Sequence, residues 1–118
     1  MIDWLELAFG FRKRLVVPGD DGAILHAELS FGNGVVMLGS ARPDQKWVSP
    51  RELPALHQVV SVVVDDPDAH YAGAKAAGAE IVRELKDEDY GSRGYGARDP
   101  EGNEWYFGTY RPGGYWTQ

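Results

Sequence analysis

The pattern of apolar and polar positions changes its period along the chain, and this change predicts the order of helices and strands. Near the start, Ile2, Leu5 and Phe9 recur at helical spacing, and Leu7 lies beside their stripe. Gly10 follows at the place where glycine commonly ends a helix. The opening residues therefore predict a short amphipathic helix that Gly10 terminates.

Strand patterns follow this helix, with turn residues between them. The segments 11–17 and 24–31 are predicted strands, and 18–22, Pro-Gly-Asp-Asp-Gly, is a predicted turn. In the second strand, one face carries Ile24, His26, Glu28 and Ser30, and the other carries Leu25, Ala27, Leu29 and Phe31. The apolar face is expected to join the core.

A hairpin turn and a strand with two apolar faces complete the first half. Gly32, Asn33 and Gly34 predict a turn of the Asn-Gly type, and the segment from Val35 to Leu38 is apolar on both faces. This strand is therefore expected to be central in its sheet or covered on both sides.

The next stretch, residues 39–54, is predicted to be an irregular linker because its prolines exclude regular structure. Trp47 stands within this linker. Three interpretations of its side chain stay open: a lid over a cavity, an anchor that faces a partner, or an ordinary packing residue.

The second half shows the same change of period. Residues 57–66 are rich in β-branched side chains and predict a buried strand, after which Asp66 and Pro67 begin a helix as N-cap and first residue. The remaining predicted elements are a helix over 69–77 closed by Gly78, a strand over 79–84, a charged loop over 86–89, and a strand–turn–strand hairpin over 90–109. The hairpin turn, Asp-Pro-Glu-Gly-Asn, has the residues that such a turn requires.

The two halves match in element order if one strand is placed before the first helix. This repeat predicts an α+β fold of two βαβββ modules, with curved mixed sheets around a shared cleft and the first strand missing. We expect a single domain over 1–118, with module one at 1–41, a linker at 42–56, module two at 57–110 and a C-terminal tail at 111–118.

Composition narrows the classes of function. The formal net charge of -6 disfavours a nucleic-acid partner, which needs a basic face, and no apolar run is long enough to span a membrane. Cysteine is absent, which excludes a thiolate nucleophile and fits a reducing, cytoplasmic setting. No secretory signal is recognisable.

Two groups of residues are candidates for chemistry or binding. His26 and Glu28 share one strand face, where they either form an acid–base pair or simply face water. Tyr90, Arg93 and Tyr95 lie among glycines on the hairpin, an arrangement that suits a ligand-facing surface. The alternative is an ordinary hairpin whose aromatic rings fill the core.

Six short motifs form a set: Ile2–Phe11, His26–Leu29, Val64–Ala69, Ala77–Ile81, Tyr90–Gly91 and Asp99–Asn103. As a set they resemble the vicinal-oxygen-chelate superfamily, which includes glyoxalase I, bleomycin-resistance proteins and extradiol dioxygenases. The resemblance spans nearly the whole chain. It implies paired βαβββ modules, which in this family often dimerise around a pocket built from both chains.

One departure from the family concerns the start of the first module. Family members have a strand before the first helix, and this sequence shows none. We expect the open position to be covered by another element or another chain, because an unpaired strand exposes backbone donors and acceptors. The expected arrangement is a homodimer in which the partner or the tail residues Gly113, Gly114, Tyr115 and Trp116 help.

A second departure concerns the metal. In the metal-dependent relatives the ligands come from the first and last strands of each module, and the corresponding positions here hold Met37, Val59 and Tyr106. A thioether, an alkyl group and a neutral phenol are poor ligands for divalent ions. The resemblance thus implies no metal, no cofactor and no catalytic residue.

The resemblance then points to the bleomycin-resistance-like branch, whose members bind a small molecule, such as a cationic or aromatic drug, in a concave cleft. The residues expected there are His26, Glu28, Met37, Val59, Ser61, Val63, Glu104 and Tyr106, with Trp47 as a lid and Tyr90, Arg93 and Tyr95 at the rim. Glu28 and Glu104 would pair with a positive ligand. Two alternatives stay open: a metal-dependent glyoxalase-like lyase or extradiol-type dioxygenase, and a metal-free enzyme that uses His26 and Glu28.

Overall fold

The computed structural model describes residues 1–114, and within them it has two α-helices, three short 3-10 turns and two β-sheets. The elements are α1 (Ile2–Phe9), β1 (Arg12–Pro18), β2 (Ile24–Phe31), β3 (Gly34–Leu38), β4 (Val60–Val63), α2 (Pro67–Ala76), β5 (Glu80–Asp87), β6 (Arg93–Arg98) and β7 (Glu104–Gly108). The predicted α+β fold is confirmed. The part of the tail prediction that concerns Tyr115 and Trp116 lies outside the described residues.

Both helices have the ends that the sequence predicts. Gly10 adopts the left-handed conformation with φ 79°, and its backbone N–H donates to the carbonyl of Leu5. The Asp66 carboxylate accepts a hydrogen bond of 3.0 Å from the backbone N–H of Ala69, and Pro67 occupies the first turn of α2. These caps fix where the chain enters and leaves each sheet.

Strands β1, β2 and β3 form an antiparallel sheet in that order, so β3 lies at an edge. Val35 and Met37 are 60% and 69% exposed. The prediction of a central or doubly covered strand is therefore wrong for the described chain. Its two apolar faces were correct as a pattern, but within residues 1–114 no strand pairs with the outer edge of β3.

The second sheet has the order β4-β7-β6-β5, with β4 parallel to β7 and the other pairs antiparallel. Its strand β4 also lies at an edge. The predicted buried strand over 57–66 is wrong in extent and burial, because only Val60–Val63 pairs and Val59 is 49% exposed. An edge strand has a neighbouring strand on one side only, so its other side is exposed. The run of valines did not indicate that β4 lies at an edge.

Three smaller expectations are also corrected. Leu25 is exposed because the pairing of β1 with β2 shifts register between Val17 and Pro18, which turns this side chain away from the core. Leu7 is exposed on the outer side of α1. The charged loop begins later than predicted, since residues 86–87 still pair with β6.

The core is built from α1, α2 and the inner faces of both sheets. Phe9 of α1 packs against Phe107 and Trp105 of β7, with ring centroids 4.6 and 5.6 Å apart. The buried hydrophobic residues are Leu5, Ala8, Phe9, Phe11, Ala27, Leu29, Val64, Ala74, Tyr95, Ala97, Trp105 and Phe107. Because both helices lie on the inner faces, the outer face of each sheet is left free for other contacts.

The turn between β6 and β7 is fixed by Asp99, as the sequence predicts. Its carboxylate accepts hydrogen bonds from the backbone N–H groups of Glu101 and Asn103, and Gly102 adopts φ 92°. Arg51 in the linker donates to the carbonyl of Pro100 at 2.5 Å, which ties the linker to this turn. In the described part of the chain, neither helix has the length and apolar character needed to cross a membrane.

Candidate functional site

The outer face of the second sheet carries one continuous row of residues across four strands. Ser61 of β4 is in register with Tyr106 of β7, which pairs with Gly96 of β6, which in turn pairs with Arg83 of β5. Side chains in register share a face. This face is opposite to the one that packs against α2, and it brings together three predicted site residues, Ser61, Glu104 and Tyr106.

Glycine lets the ring of Tyr106 lie flat on the sheet. A Cβ atom added at Gly94 would be 2.6 Å from Cζ of the Tyr106 ring, and one added at Gly108 would be 2.7 Å from its Cε1. Real Cβ atoms do not approach other atoms this closely, so any side chain at either position would displace the ring. The two glycines therefore form a floor beneath Tyr106.

Two charged side chains contact Tyr106: Arg83 of β5 and Glu88 of the β5–β6 connection. The Tyr106 hydroxyl donates to Glu88 Oε1 at 3.2 Å, and Arg83 Nη2 lies 3.4 Å from the same oxygen. The Arg83 guanidinium carbon lies 5.4 Å from the centroid of the Tyr106 ring, within cation–π distance. Burial, assisted by Tyr90 and Glu88, raises the pKa of Tyr106, so its hydroxyl remains a donor.

Glu104 is already paired on this face. Arg98 Nη2 lies 3.5 Å from the Glu104 carboxylate, and Arg98 Nη1 lies 3.2 Å from that of Glu80. One arginine thus neutralises part of the charge of two glutamates. Glu104 is on the expected face, but its partner is a residue of the same protein.

The outer face of the first sheet brings together three other predicted residues. His26 Nε2 and Glu28 Oε2 are 2.8 Å apart, and Met37 pairs with Glu28 across β2 and β3. The histidine and the carboxylate are both partly exposed. The arrangement offers one imidazole–carboxylate pair beside a thioether.

Two of the expected rim residues lie on the helix side of the second sheet. Tyr95 is fully buried, and its hydroxyl is 2.6 Å from Nδ1 of His70 on α2, so the expectation that Tyr95 lines a rim is wrong. Arg93 binds Asp68 of α2 through two hydrogen bonds of 2.9 and 3.1 Å. Alternation along β6 sends Arg93 and Tyr95 to the same side, away from Tyr106.

The remaining predicted residues lie at the open edges or beyond the strand ends. Trp47 lines a cavity of about 720 Å³ between the edges of β3 and β4, together with Met37, Val60 and Trp105. Arg42 lies over the Trp47 ring at 5.3 Å from its centroid. Tyr90 is exposed and makes an edge-to-face contact with Tyr110, with centroids 5.7 Å apart.

Sequence reasoning missed three residues that organise these surfaces. Arg83 and Glu88 flank Tyr106, and nothing in their local sequence indicated that contact. His70 joins α2 to the core, with Nε2 2.7 Å from the carbonyl oxygen of Phe9. Its spacing from Pro67 and Ala74, which are both buried, was a usable signal for a core position on the helix.

The donor set does not fit a divalent metal ion. Within residues 1–114, no group of three or more histidine, cysteine or acidic side chains is placed to hold one. His26 and Glu28 supply two donors, whereas Met37 and Tyr106 supply a thioether sulfur and a protonated phenol. No chemical step can therefore be derived through a metal at these residues.

Comparisons with known proteins agree with this fold. A family profile described as glyoxalase/bleomycin resistance protein/dioxygenase superfamily matches residues 1–107. Uncharacterised proteins of Mycobacterium bovis and Mycobacterium tuberculosis are 34% identical over 110 residues. The match covers 91% of this chain and 72% and 65% of those proteins, so the chain spans about two thirds of the length of these curated relatives.

Solved structures give the same result. The crystal structure of TioX from Micromonospora sp. ML1 is 39% identical, with a TM-score of 0.68 over 91% of this chain and 85% of TioX. A glyoxalase I mutant from Zea mays has a TM-score of 0.72 at 21% identity, covering 92% of this chain and 40% of that one, which shows the fold alone. The resemblance identified from the motifs is confirmed. The chain belongs to the glyoxalase/bleomycin resistance protein/dioxygenase superfamily.

Proposed function

We propose that this protein binds a small, flat, aromatic or cationic molecule on the outer faces of its sheets, without a metal ion. The observation that carries the proposal is the ring of Tyr106, held flat over Gly94 and Gly108 beside the carboxylate of Glu88. A ring fixed in this way offers a stacking surface at little entropic cost. Membership of a family that includes bleomycin resistance proteins supports a binding role.

The charges on these faces refine the expected contacts. Glu28 is paired with His26 and Glu104 with Arg98, so each already has a partner within the protein. Glu88 also has a partner, Arg83 at 3.4 Å, but its carboxylate accepts from the Tyr106 hydroxyl and is therefore the better placed to meet a positive ligand that stacks on the Tyr106 ring. The absence of cysteine supports a cytoplasmic location.

A thermal-shift screen against flat aromatic cations, including drugs, tests the proposal. Wild-type protein is expected to gain stability with at least one compound, and Tyr106→Leu is expected to weaken its binding by about tenfold because the stacking surface is lost. Tyr106→Phe keeps the ring and is the matched control, with affinity close to wild type. Equal binding by Tyr106→Leu would move the site away from this face.

The pair of His26 with Glu28 favours one second candidate, a metal-free acid–base enzyme. A metal-dependent glyoxalase-like lyase or extradiol-type dioxygenase remains the alternative that the family resemblance implies. Elemental analysis of purified protein distinguishes these functions from simple binding. A stoichiometric nickel, zinc, iron or manganese signal that a chelator removes would favour the metal enzyme. Turnover lost in His26→Gln with no metal present would favour the metal-free enzyme.

We also propose that a second copy of the chain covers the open edges of β3 and β4. Exposed apolar side chains lie at these edges, among them Val35, Met37 and Val59. Edges of this kind readily pair with another strand. The radius of gyration is 15.5 Å, above the value of about 13.5 Å expected for a compact chain of this length, so much surface is left to bury.

Light scattering is expected to give twice the 13.0 kDa mass of one chain. Val35→Lys combined with Val59→Lys is expected to shift the protein to monomer, because lysine at a strand edge opposes pairing. Leu7→Lys adds a charge at an exposed apolar residue of α1 and should stay dimeric. A wild-type protein that is monomeric at all concentrations would exclude this proposal.

A further inference from the structure

We infer that the Arg83 guanidinium occupies the cation subsite of the ligand, so that the ligand carries a planar cationic group that displaces Arg83 from Tyr106 and Glu88. The chemical class is a guanidinium, an amidinium or a protonated aromatic amine. This inference rests on the proposed function, because it names what the Tyr106 face recognises.

Arg83 reaches Tyr106 by lying along the sheet surface. A Cβ atom added at Gly96 would be 3.3 Å from Cβ of Arg83 and 3.5 Å from its Cδ, so the absence of a side chain at Gly96 keeps this path open. The guanidinium then lies over the ring of Tyr106 and next to Glu88. The arrangement is that of a planar cation bound by an aromatic ring and a carboxylate.

Arg83 is held more weakly than the other arginines of this sheet. Its side chain is 53% exposed, and its ion pair with Glu88 is 3.4 Å long. Arg93 contacts the carboxylates of Asp68 and Asp87, and Arg98 contacts two glutamates. Arg83 is therefore the arginine that an incoming group displaces at the smallest cost.

Glu88 explains why the incoming group must be positive. Its side chain is only 8% exposed, although it carries a carboxylate. Removing Arg83 without a replacement would leave this largely buried charge with the Tyr106 hydroxyl alone, which is unfavourable. A cation that takes the place of the guanidinium restores the charge pair, and a neutral molecule does not.

The flat ring explains why the cation must be planar. Tyr106 lies over Gly94 and Gly108, so one face of its ring is turned to the sheet and the other face, which Arg83 now covers, is the one that a ligand can reach. A planar group covers that face and places its charge near Glu88, whereas a compact ammonium ion contacts little of it.

The test compares 9-aminoacridine with its parent acridine at one mildly alkaline pH. Under these conditions 9-aminoacridine is a cation and acridine is largely neutral. Wild-type protein is expected to prefer 9-aminoacridine. Arg83→Gln is expected to raise the affinity for 9-aminoacridine by about tenfold and to change that for acridine much less, because the internal competitor is gone. Glu88→Gln should remove the preference, so that both dyes bind alike.

Arg12→Gln, on β1 in the first sheet, is the matched control for the change in net charge and should leave both affinities unchanged. Unchanged or weaker binding of 9-aminoacridine by Arg83→Gln would overturn the inference and make Arg83 a structural support for Tyr106. The proposed function survives that result if acridine binds the wild type and is lost in Tyr106→Leu. Failure of both dyes to bind wild type and Arg83→Gln would overturn the inference and the proposed function together.

Discussion

Asp99→Ala is expected to lower the free energy of unfolding by about 3–5 kcal/mol, because it removes a buried acceptor that four donors share. Asp99 is 1% exposed. Its Oδ1 accepts from the backbone N–H groups of Glu101 and Asn103 at 2.9 and 3.0 Å, and its Oδ2 accepts from Asn103 Nδ2 and Trp105 Nε1 at 3.0 and 2.8 Å. Alanine would leave these donors without a partner.

Chemical denaturation followed by tryptophan fluorescence measures this loss. Asp99→Asn is a sharper variant, because it keeps the shape of the side chain but places an NH₂ group where at least one donor now points. Asp89→Ala, at an exposed position in the preceding connection between β5 and β6, is the control and should change stability by about 0.5 kcal/mol or less. A loss below about 1 kcal/mol for Asp99→Ala would contradict this account of the turn.

Asp99 also shows which parts of the fold could be predicted from the sequence. Three predicted features depend on residues that are close together in the chain. They are the turn at 99–103, the helix caps at Gly10 and Asp66, and the strand that contains Tyr106. Local hydrogen bonds and backbone preferences decide such features, so a sequence pattern carries them directly.

The edge strands could not be predicted in the same way. β3 is apolar on both faces, and such a strand is central when neighbours pair on both sides and exposed when one is missing. β4 has the same ambiguity. Which strands lie side by side is a property of distant parts of the chain, and in the described residues β4 pairs with β7 alone.

In the candidate site, too, local sequence predicts some positions, and distant parts of the chain determine the others. Alternation in β7 placed Glu104 and Tyr106 together, as predicted, because a strand has a fixed period. Alternation in β6 also held, but the glycines Gly94 and Gly96 mark the face of Tyr106, and Tyr95 therefore points to the core. The largely buried Glu88 side chain lies in the β5–β6 connection, and no local sequence pattern predicts the course of that connection.

Substitution of His70 is the second change expected to lower the free energy of unfolding by several kcal/mol. Its ring packs against Phe107, with centroids 4.2 Å apart, and lies near Phe9 and Phe31. The carbonyl oxygen of Phe9 can only accept, so His70 Nε2 carries the proton, and Nδ1 accepts from the Tyr95 hydroxyl. The neutral imidazole thus satisfies two buried groups. Burial raises the pKa of Tyr95, which keeps its hydroxyl protonated as a donor.

Burial lowers the pKa of His70 below its ordinary value of 6.5, although the hydrogen bond to Phe9 opposes the shift. The unfolded chain then binds more protons than the folded one between the two pKa values. The contribution of His70 to the free energy of unfolding is therefore fully present above about pH 6.5. It falls as the pH drops below that value, by up to about 1.4 kcal/mol per pH unit.

His70→Ala is expected to cost about 3–5 kcal/mol, since it removes the ring contacts and leaves the Tyr95 hydroxyl with only the 3.5 Å hydrogen bond to the backbone carbonyl of residue 70. His70→Gln keeps a polar side chain without a group that titrates near neutral pH, and its unfolding free energy should fall less steeply than that of wild type between pH 6.5 and the lower folded-state pKa. His57→Gln, at an exposed position, should retain the wild-type slope. Parallel slopes for wild type and His70→Gln in denaturant titrations would show that His70 is not the group that titrates.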